Sequence, residues 1–352
     1  MNNFHAVLLA GGLGQRLWPK ARRNMPKQFL AFGGEKSLLQ RTAQRIHPLL
    51  PWSRIWVVVK PEHVHLVKEQ LPELPVENLL IEPEPKGTAA AVIMSAFSIE
   101  ARSRDAVMAV LPTDHMIDNE NQFRRTLTAA LTWASTHPDL VTIGIEPTRP
   151  ETAYGYISVG KELGSFDGSR CFRVQSFHEK PCKKVAQNYL ASGNILWNSG
   201  IFAWSCKELI STCDVLKKIG LKFGTGETVK KLISCYHLMP SDSIDYEVLE
   251  QAKNLVVFHG NFGWQDLGIW ETFYEFSKKD QRGNSIEGNV VARHSQGCLL
   301  NCSDDRVLAV LGLKDMAVIV EDNCVLVCPR DRLQEVRYLV EDLEHTGLKE
   351  FT

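Results

Sequence analysis

Short apolar runs alternate with amphipathic stretches through the first two-thirds of this chain. The runs are residues 5–10, 55–59, 78–81, 107–111 and 140–145. The stretches between them, residues 37–46, 89–101 and 122–135, read as helices. This order predicts an α/β fold with a mainly parallel sheet and helices on both faces. Further strands are expected at residues 156–159, 171–177, 200–204 and 255–259, and helices at 183–191, 207–219 and 228–236. The polar run Lys278-Lys279-Asp280-Gln281-Arg282-Gly283-Asn284 marks a boundary. Beyond it, apolar pieces at 289–292, 297–301, 306–311, 316–320 and 324–328 are punctuated by Asn, Asp and Gly, as in a small all-β domain. Leu333, Val336, Leu339, Val340 and Leu343 then form one helical stripe over residues 331–343. The expected domains are residues 1–283 and 284–352.

The first apolar run opens directly into Gly11-Gly12-Leu13-Gly14-Gln15-Arg16-Leu17. A buried strand feeding a glycine turn, with a helix expected after it, suits a nucleotide. Without Cβ atoms, the backbone N–H groups can approach a polyphosphate closely. Arg16 adds a fixed positive charge. The pattern is neither a P-loop, since no Gly-Lys-Ser/Thr follows, nor a full dinucleotide fingerprint, whose third glycine position is Leu17. Arg16, Arg22, Arg23 and Lys27 lie together with almost no acidic neighbours. They read as an anion clamp beside the glycine loop; a solvated basic loop is the plainer alternative.

Charges nearly cancel, with 40 Lys and Arg against 41 Asp and Glu, so nothing calls for nucleic acid or an anionic membrane as partner. No run approaches the ~18 apolar residues of a spanning helix, and the N-terminus lacks the blocks of a secretory signal. A soluble, cytoplasmic protein is expected, and its nine cysteines should be reduced thiols. Cys298, Cys302, Cys324 and Cys328 could form a zinc set, but three residues separate each pair and both pairs sit in apolar runs. Small core residues are the favoured reading.

Two isolated acids stand out. Asp114 follows the apolar run 107–111 in Leu-Pro-Thr-Asp-His, where ligands collect beyond the carboxyl ends of parallel strands. It suits Mg²⁺, which takes one or two carboxylates plus phosphate oxygens and water, although a helix N-cap would look the same. Asp266 lies between Trp264 and Trp270 and needs a partner, because an unpaired buried carboxylate is costly. A divalent cation shared with Asp114 would satisfy both. Phe177-His178-Glu179-Lys180-Pro181, Tyr154-Gly155-Tyr156 and Trp197-Asn198-Ser199-Gly200 supply an acid, a base, an amide and aromatic rings, groups that suit a sugar.

In their order along the chain these pieces resemble the sugar-1-phosphate nucleotidylyltransferases, and among them the mannose-1-phosphate guanylyltransferases. The likeness rests on residues 9–17, Trp18-Pro19, residues 26–30, Glu82-Pro83, Pro112-x-Asp114-His115 and residues 154–157. It continues through residues 177–181 and 197–202, Ser243-Ile244-Asp245-Tyr246 with Glu250, and residues 264–270. The resemblance implies a Rossmann-like catalytic sheet and a C-terminal left-handed β-helix-like domain. It implies GTP and mannose 1-phosphate as substrates, GDP-mannose and pyrophosphate as products, and Mg²⁺ (or Mn²⁺) held by Asp114 and Asp266. Arg16, Lys27 and Lys180 would be catalytic. Leu9, Ala10, Gly11, Gly12, Gly14, Glu82, Thr88 and Pro112 would bind the nucleotide. Gly155, Glu179 and Asn198 would read the sugar. Gly87 stands where the family usually has Asn, near the nucleoside in relatives, and Ala21 where it has Ser. Base and sugar choice therefore stay open, and so does a homodimer. The alternatives are another hexose-1-phosphate nucleotidylyltransferase and a non-catalytic GDP-mannose-binding relative. A nicotinamide-dependent dehydrogenase ranks below both.

Overall fold

β1 (Phe4–Leu9) is buried on both faces for nearly its whole length, as a strand inside a covered parallel sheet must be. The computed structural model describes residues 3–32, 34–213, 226–303 and 305–352. These pack as two units, neither continuous in sequence. One comprises Met1–Gly11, Arg41–Thr113 and Ile117–Trp264; the other comprises Gly12–Gln40, Asp114–Met116 and Gln265–Thr352.

The first unit is built on a nine-stranded sheet. After β1 come β2 (Ile55–Val59), β3 (Leu79–Ile81) and β4 (Val107–Pro112). A short β5 (His115–Ile117) precedes β6 (Leu140–Ile145), β7 (Tyr156–Phe166), β8 (Ser169–His178), β9 (Ile195–Ser205) and β10 (Leu255–Gly260). The spatial order is β3-β2-β1-β4-β9-β6-β10-β8-β7. The expected parallel arrangement holds across β3-β2-β1-β4 and again for β6 with β10. The sheet is otherwise mixed, because β9 enters antiparallel between β4 and β6 and the β7–β8 hairpin closes the far edge.

Helix Thr88–Glu100 is apolar all round and covers one face, against Val7, Trp56, Val58, Met108 and Val110. Helix Glu120–Thr136 packs on β4, β6, β9 and β10 but adds nothing to that cluster, so it covers the other face. The expected helix 207–219 is seen as Cys206–Thr212; its residues 214–219 lie outside the described ones. The parallel registers bring Leu9, Val58 and Pro112 level, so the segments after β1, β3 and β4 leave the sheet at one end.

The second unit winds short strands into a coil. β11 (Trp264–Asp266) pairs with β5. β12 (Ser285–Gly288), β14 (Leu299–Cys302) and β16 (Met316–Glu321) stack in parallel, and β17 (Cys324–Pro329) closes the sheet antiparallel. β13 (Val290–Arg293) and β15 (Leu308–Leu311) form a second parallel pair. Period-2 alternation sorts the side chains. Leu300 and Val318 face Val290, Ala292, Leu308 and Val310 inside the coil. Leu299, Ala317 and Ile319 face outward onto Leu17, Trp18, Phe32, Trp270 and helix Val336–His345. The corner at Gly288 has φ +84°, and any Cβ there would overlap the Cys302 carbonyl, so only glycine fits. Cys298, Cys302 and Cys324 are buried and Cys328 is half-buried; Cys298 joins the inner cluster and Cys324 the outer one. Among the described residues no helix is long and apolar enough to cross a membrane.

Candidate active site

The glycine turn leads into no regular helix. Gly14 takes the left-handed conformation (φ +72°), and among the described residues only 3₁₀ turns follow, Gln15–Leu17 and Lys27–Phe29, until helix Leu38–Ile46. Pro19 and Pro26 interrupt the segment, each without an N–H to donate. A Cβ on Gly14 would lie 2.7 Å from Lys27 Cγ, so the glycine lets the Lys27 stem lie across the loop. The Lys27 ammonium ion-pairs with Asp114 Oδ2. Burial alone would lower the Lys27 pKa, but the Asp114 and Asp266 carboxylates outweigh it and hold the ammonium charged. Burial would likewise raise Asp114; Lys27, with His115, overcomes this and holds it at about 2.

Leu267 N–H donates to the Asp114 carbonyl at 3.0 Å, which ties the two acid-bearing segments together. A Cβ on Gly268 would lie 3.1 Å from Asp266 Oδ1 and 3.5 Å from an Arg16 guanidinium nitrogen. Arg16, Lys27, Asp114 and Asp266 thus converge on one place in the second unit. Asp114, His115 and Asp266 each bring a ligand atom, all within 4.8 Å of one another. Two carboxylates so placed fit a divalent cation, and Lys27 already holds a positive charge on one of them.

Arg22 and Arg23 go elsewhere. Arg22 donates to the Pro19 and Glu321 carbonyls and to Asn323 Oδ1. Arg23 pairs with Glu344 at 2.5 Å, and its N–H donates to the Thr352 carbonyl. The indole N–H of Trp18 donates to Phe351 O at 2.8 Å, and that of Trp270 to Trp18 O at 2.9 Å. The four-cation clamp expected from the sequence is therefore two cations at the carboxylates and two fastening the loop to the C-terminal region, Arg22 to the coil and Arg23 to the closing helix and tail.

The first unit carries the remaining polar groups. Glu82, beyond β3, is buried; it accepts from Tyr236 Oη at 3.0 Å and lies 3.0 Å from where a Cβ on Gly11 would be. Burial raises the Glu82 carboxyl above its usual range against the pull of Tyr236 and Lys60. Thr88 Oγ1 accepts from Ile244 N–H at 3.0 Å. Gly87 is forced by φ +82° and by the Asp242 carbonyl, 2.6 Å from its would-be Cβ. The Leu9 carbonyl accepts from Thr113 Oγ1, and Pro112 pairs in register with Leu9. At the end of β8, Lys180 reaches Glu179 at 2.6 Å; the Glu179 side chain is 6% exposed and that of Lys180 58%. A Cβ on Gly155 would lie 2.6 Å from Glu179 Oε2 and 3.3 Å from Asn198 Cβ.

Residues 5–283 match the nucleotidyl transferase family model, and residues 288–343 match the mannose-phosphate isomerase/GMP-like β-helix domain. The mannose-1-phosphate guanylyltransferase of Salmonella montevideo is 38% identical over 350 residues, 96% of this chain and 73% of that protein. The chain belongs to the sugar-1-phosphate nucleotidylyltransferases. The alginate biosynthesis protein AlgA of Pseudomonas aeruginosa is 34% identical over 98% of this chain and 73% of its own. A crystal structure described as mannose-1-phosphate geranyltransferase from Thermus thermophilus superposes with a TM-score of 0.85. It is 32% identical and covers 97% of this chain and 99% of that one.

As a nucleotidylyltransferase, the chain has its sequence-predicted metal, catalytic and sugar-reading residues in two groups, one in each packing unit. Arg16, Lys27, Asp114 and Asp266 share one, with Gly14 beneath Lys27. In the first unit, Gly155, Glu179, Lys180 and Asn198 share one spot, and Gly11 meets Glu82. Among the described residues, none beyond its chain neighbours lies within 4 Å of a Cβ built on Gly12, so their packing does not explain that glycine. Sequence reasoning gave no role to Tyr236, His115 or Asp245. Tyr236 carries no local signal, since its carboxylate partner is 154 residues away. Asp245 lies in one of the motifs that carry the family resemblance and accepts from Asn198 Nδ2 at 2.8 Å.

Proposed function

We propose that this protein transfers GMP from GTP to mannose 1-phosphate, giving GDP-mannose and pyrophosphate. The supporting observation is the meeting of Arg16, Lys27, Asp114 and Asp266 from four separated positions in the chain. The choice of GTP and mannose 1-phosphate rests on the guanylyltransferase relatives. A phosphate oxygen of mannose 1-phosphate attacks the α-phosphorus of GTP. The new P–O bond forms as the bond to the β-phosphate oxygen breaks, and pyrophosphate leaves. The attacking oxygen is already anionic, so no general base is needed. The protein must align two anions and offset charge on the leaving group. Arg16 and Lys27 do this for the triphosphate, with the loop Leu9, Ala10, Gly11, Gly12 and Gly14 beneath it. Glu82, Thr88 and Pro112 border the nucleoside. Lys180 meets the sugar phosphate, and Gly155, Glu179 and Asn198 read the sugar. Asp114 and Asp266 hold Mg²⁺ or Mn²⁺, which supplies Lewis-acid stabilisation of phosphoryl oxygens. We place the enzyme in the cytoplasm, as a monomer or homodimer.

The test is pyrophosphate release from each of several NTPs paired with each of several hexose 1-phosphates, with and without EDTA. The expected result is metal-dependent turnover with GTP and mannose 1-phosphate. Robust turnover in excess EDTA, or none with any sugar phosphate, overturns the proposal.

A further inference from the structure

Asn198 has a carboxamide that is engaged at both ends. Its Oδ1 accepts from Thr142 Oγ1 at 3.0 Å and from Gly200 N–H at 3.3 Å. Its Nδ2 donates to Asp245 Oδ1 at 2.8 Å. A rotated amide would set its NH₂ against the fixed Gly200 N–H and its oxygen against a carboxylate, which is acceptor-only when ionised. One Nδ2 proton remains. Beside it, Glu179 is an acceptor held by Lys180, and the absent side chain of Gly155 leaves the space between them. Asp245 is half-buried and repelled by Glu179, while Lys180 is drawn to both carboxylates. Its repulsion from Glu179 is offset by the Asn198 N–H and by Lys180.

We infer that Asp245 is a positioning residue for the sugar-phosphate substrate: it holds the Asn198 carboxamide with an N–H toward the hexose. The pocket then offers adjacent hydroxyls one donor, Asn198, and one acceptor, Glu179. Because each sugar hydroxyl can donate or accept, a hexose whose neighbouring hydroxyls reach both groups is favoured over an epimer whose hydroxyls reach only one. The inference rests on the sugar-site reading above and assigns Asp245 no contact with the substrate.

Asp245→Asn keeps the shape but can present either end of its own amide, so only Thr142 and Gly200 then orient Asn198. The KM for mannose 1-phosphate should rise by up to about tenfold, the loss of one neutral hydrogen bond between the Asn198 amide and a hexose hydroxyl, with kcat and the KM for GTP nearly unchanged. Because Asp245 acts through Asn198, Asp245→Asn added to Asn198→Ala should cost nothing further. Thr142→Val removes the opposite lock and should raise the same KM by a smaller factor, a second readout if Asp245→Asn folds poorly. An unchanged sugar-phosphate KM in both single variants, or additive losses in the double variant, overturns the inference. Glu179→Gln and Lys180→Ala separate the two failures. If these raise the sugar-phosphate KM and Asp245→Asn does not, the sugar site stands and Asp245 has no such role. If none of them does, the sugar site itself is misplaced.

Discussion

The two polar clusters are built in opposite ways. Glu179, Asn198 and Gly155 lie on or beside the ends of long strands, so the sheet's own hydrogen bonds place them. Arg16 and Lys27 lie on isolated 3₁₀ turns, which have little order of their own. Their order comes from residues far along the chain: Trp18, Arg22 and Arg23 bind the loop to residues 321–352, and the Trp270 indole N–H holds the Trp18 carbonyl. The C-terminal strands and helix are therefore a mount for the charged loop. A strand-end site survives loss of a neighbour; a loop site depends on its mount.

The largest expected effect is at the loop site. Asp114→Ala and Asp266→Ala should each lower kcat/KM by ~10²–10³, the scale of one electrostatic group in a transition state. The double variant should be little worse, because ligands of one ion act as a unit. Fully multiplicative losses across a Mg²⁺ titration would show that the acids act separately.

At the strand-end site, Lys180→Ala should cost ~10–10² in kcat/KM for the sugar phosphate. The KM for GTP should stay close to wild type when each substrate is varied in turn. A loss falling on GTP instead would merge the two clusters functionally and break the contrast.

The mount is tested by Arg22→Ala. Arg22 is largely buried and satisfies three acceptors, so its removal should destabilise by about 1–3 kcal/mol in denaturant melts. The Mg²⁺ dependence of the folded fraction should not change. Unaltered stability would mean that the loop is ordered without the coil.

The smallest effect is expected for Tyr236→Phe. Glu82 loses one neutral donor, worth about 1 kcal/mol, so the KM for GTP should shift less than tenfold. The KM for mannose 1-phosphate should not move; equal shifts in both would remove Glu82 from the nucleoside site.

The same contrast explains what could be read from the sequence. Residues 55–59 and 140–145 are strands with the expected bounds, because fully buried parallel strands are continuous apolar runs. β12 is hidden in a polar boundary, since half of its residues face outward. The helix expected after the glycine turn is absent because the prolines and the burial of Leu17 and Trp18 tie that segment down by tertiary contacts. The antiparallel entry of β9 depends on pairing partners far apart in sequence, which no local pattern encodes. The chemical groups themselves were legible. The double use of the basic loop was not, since Arg22 and Arg23 look like Arg16 until their partners some 300 residues away are in view.

The central claim is that Asp114 and Asp266 hold one divalent cation for nucleotidyl transfer, and Mn²⁺ counting by electron paramagnetic resonance tests it most directly. With a non-hydrolysable GTP analogue present, the wild-type protein should bind Mn²⁺ at this site. Asp114→Ala and Asp266→Ala should each abolish that binding while remaining folded. Undiminished Mn²⁺ binding in the variant lacking both carboxylates would contradict the account.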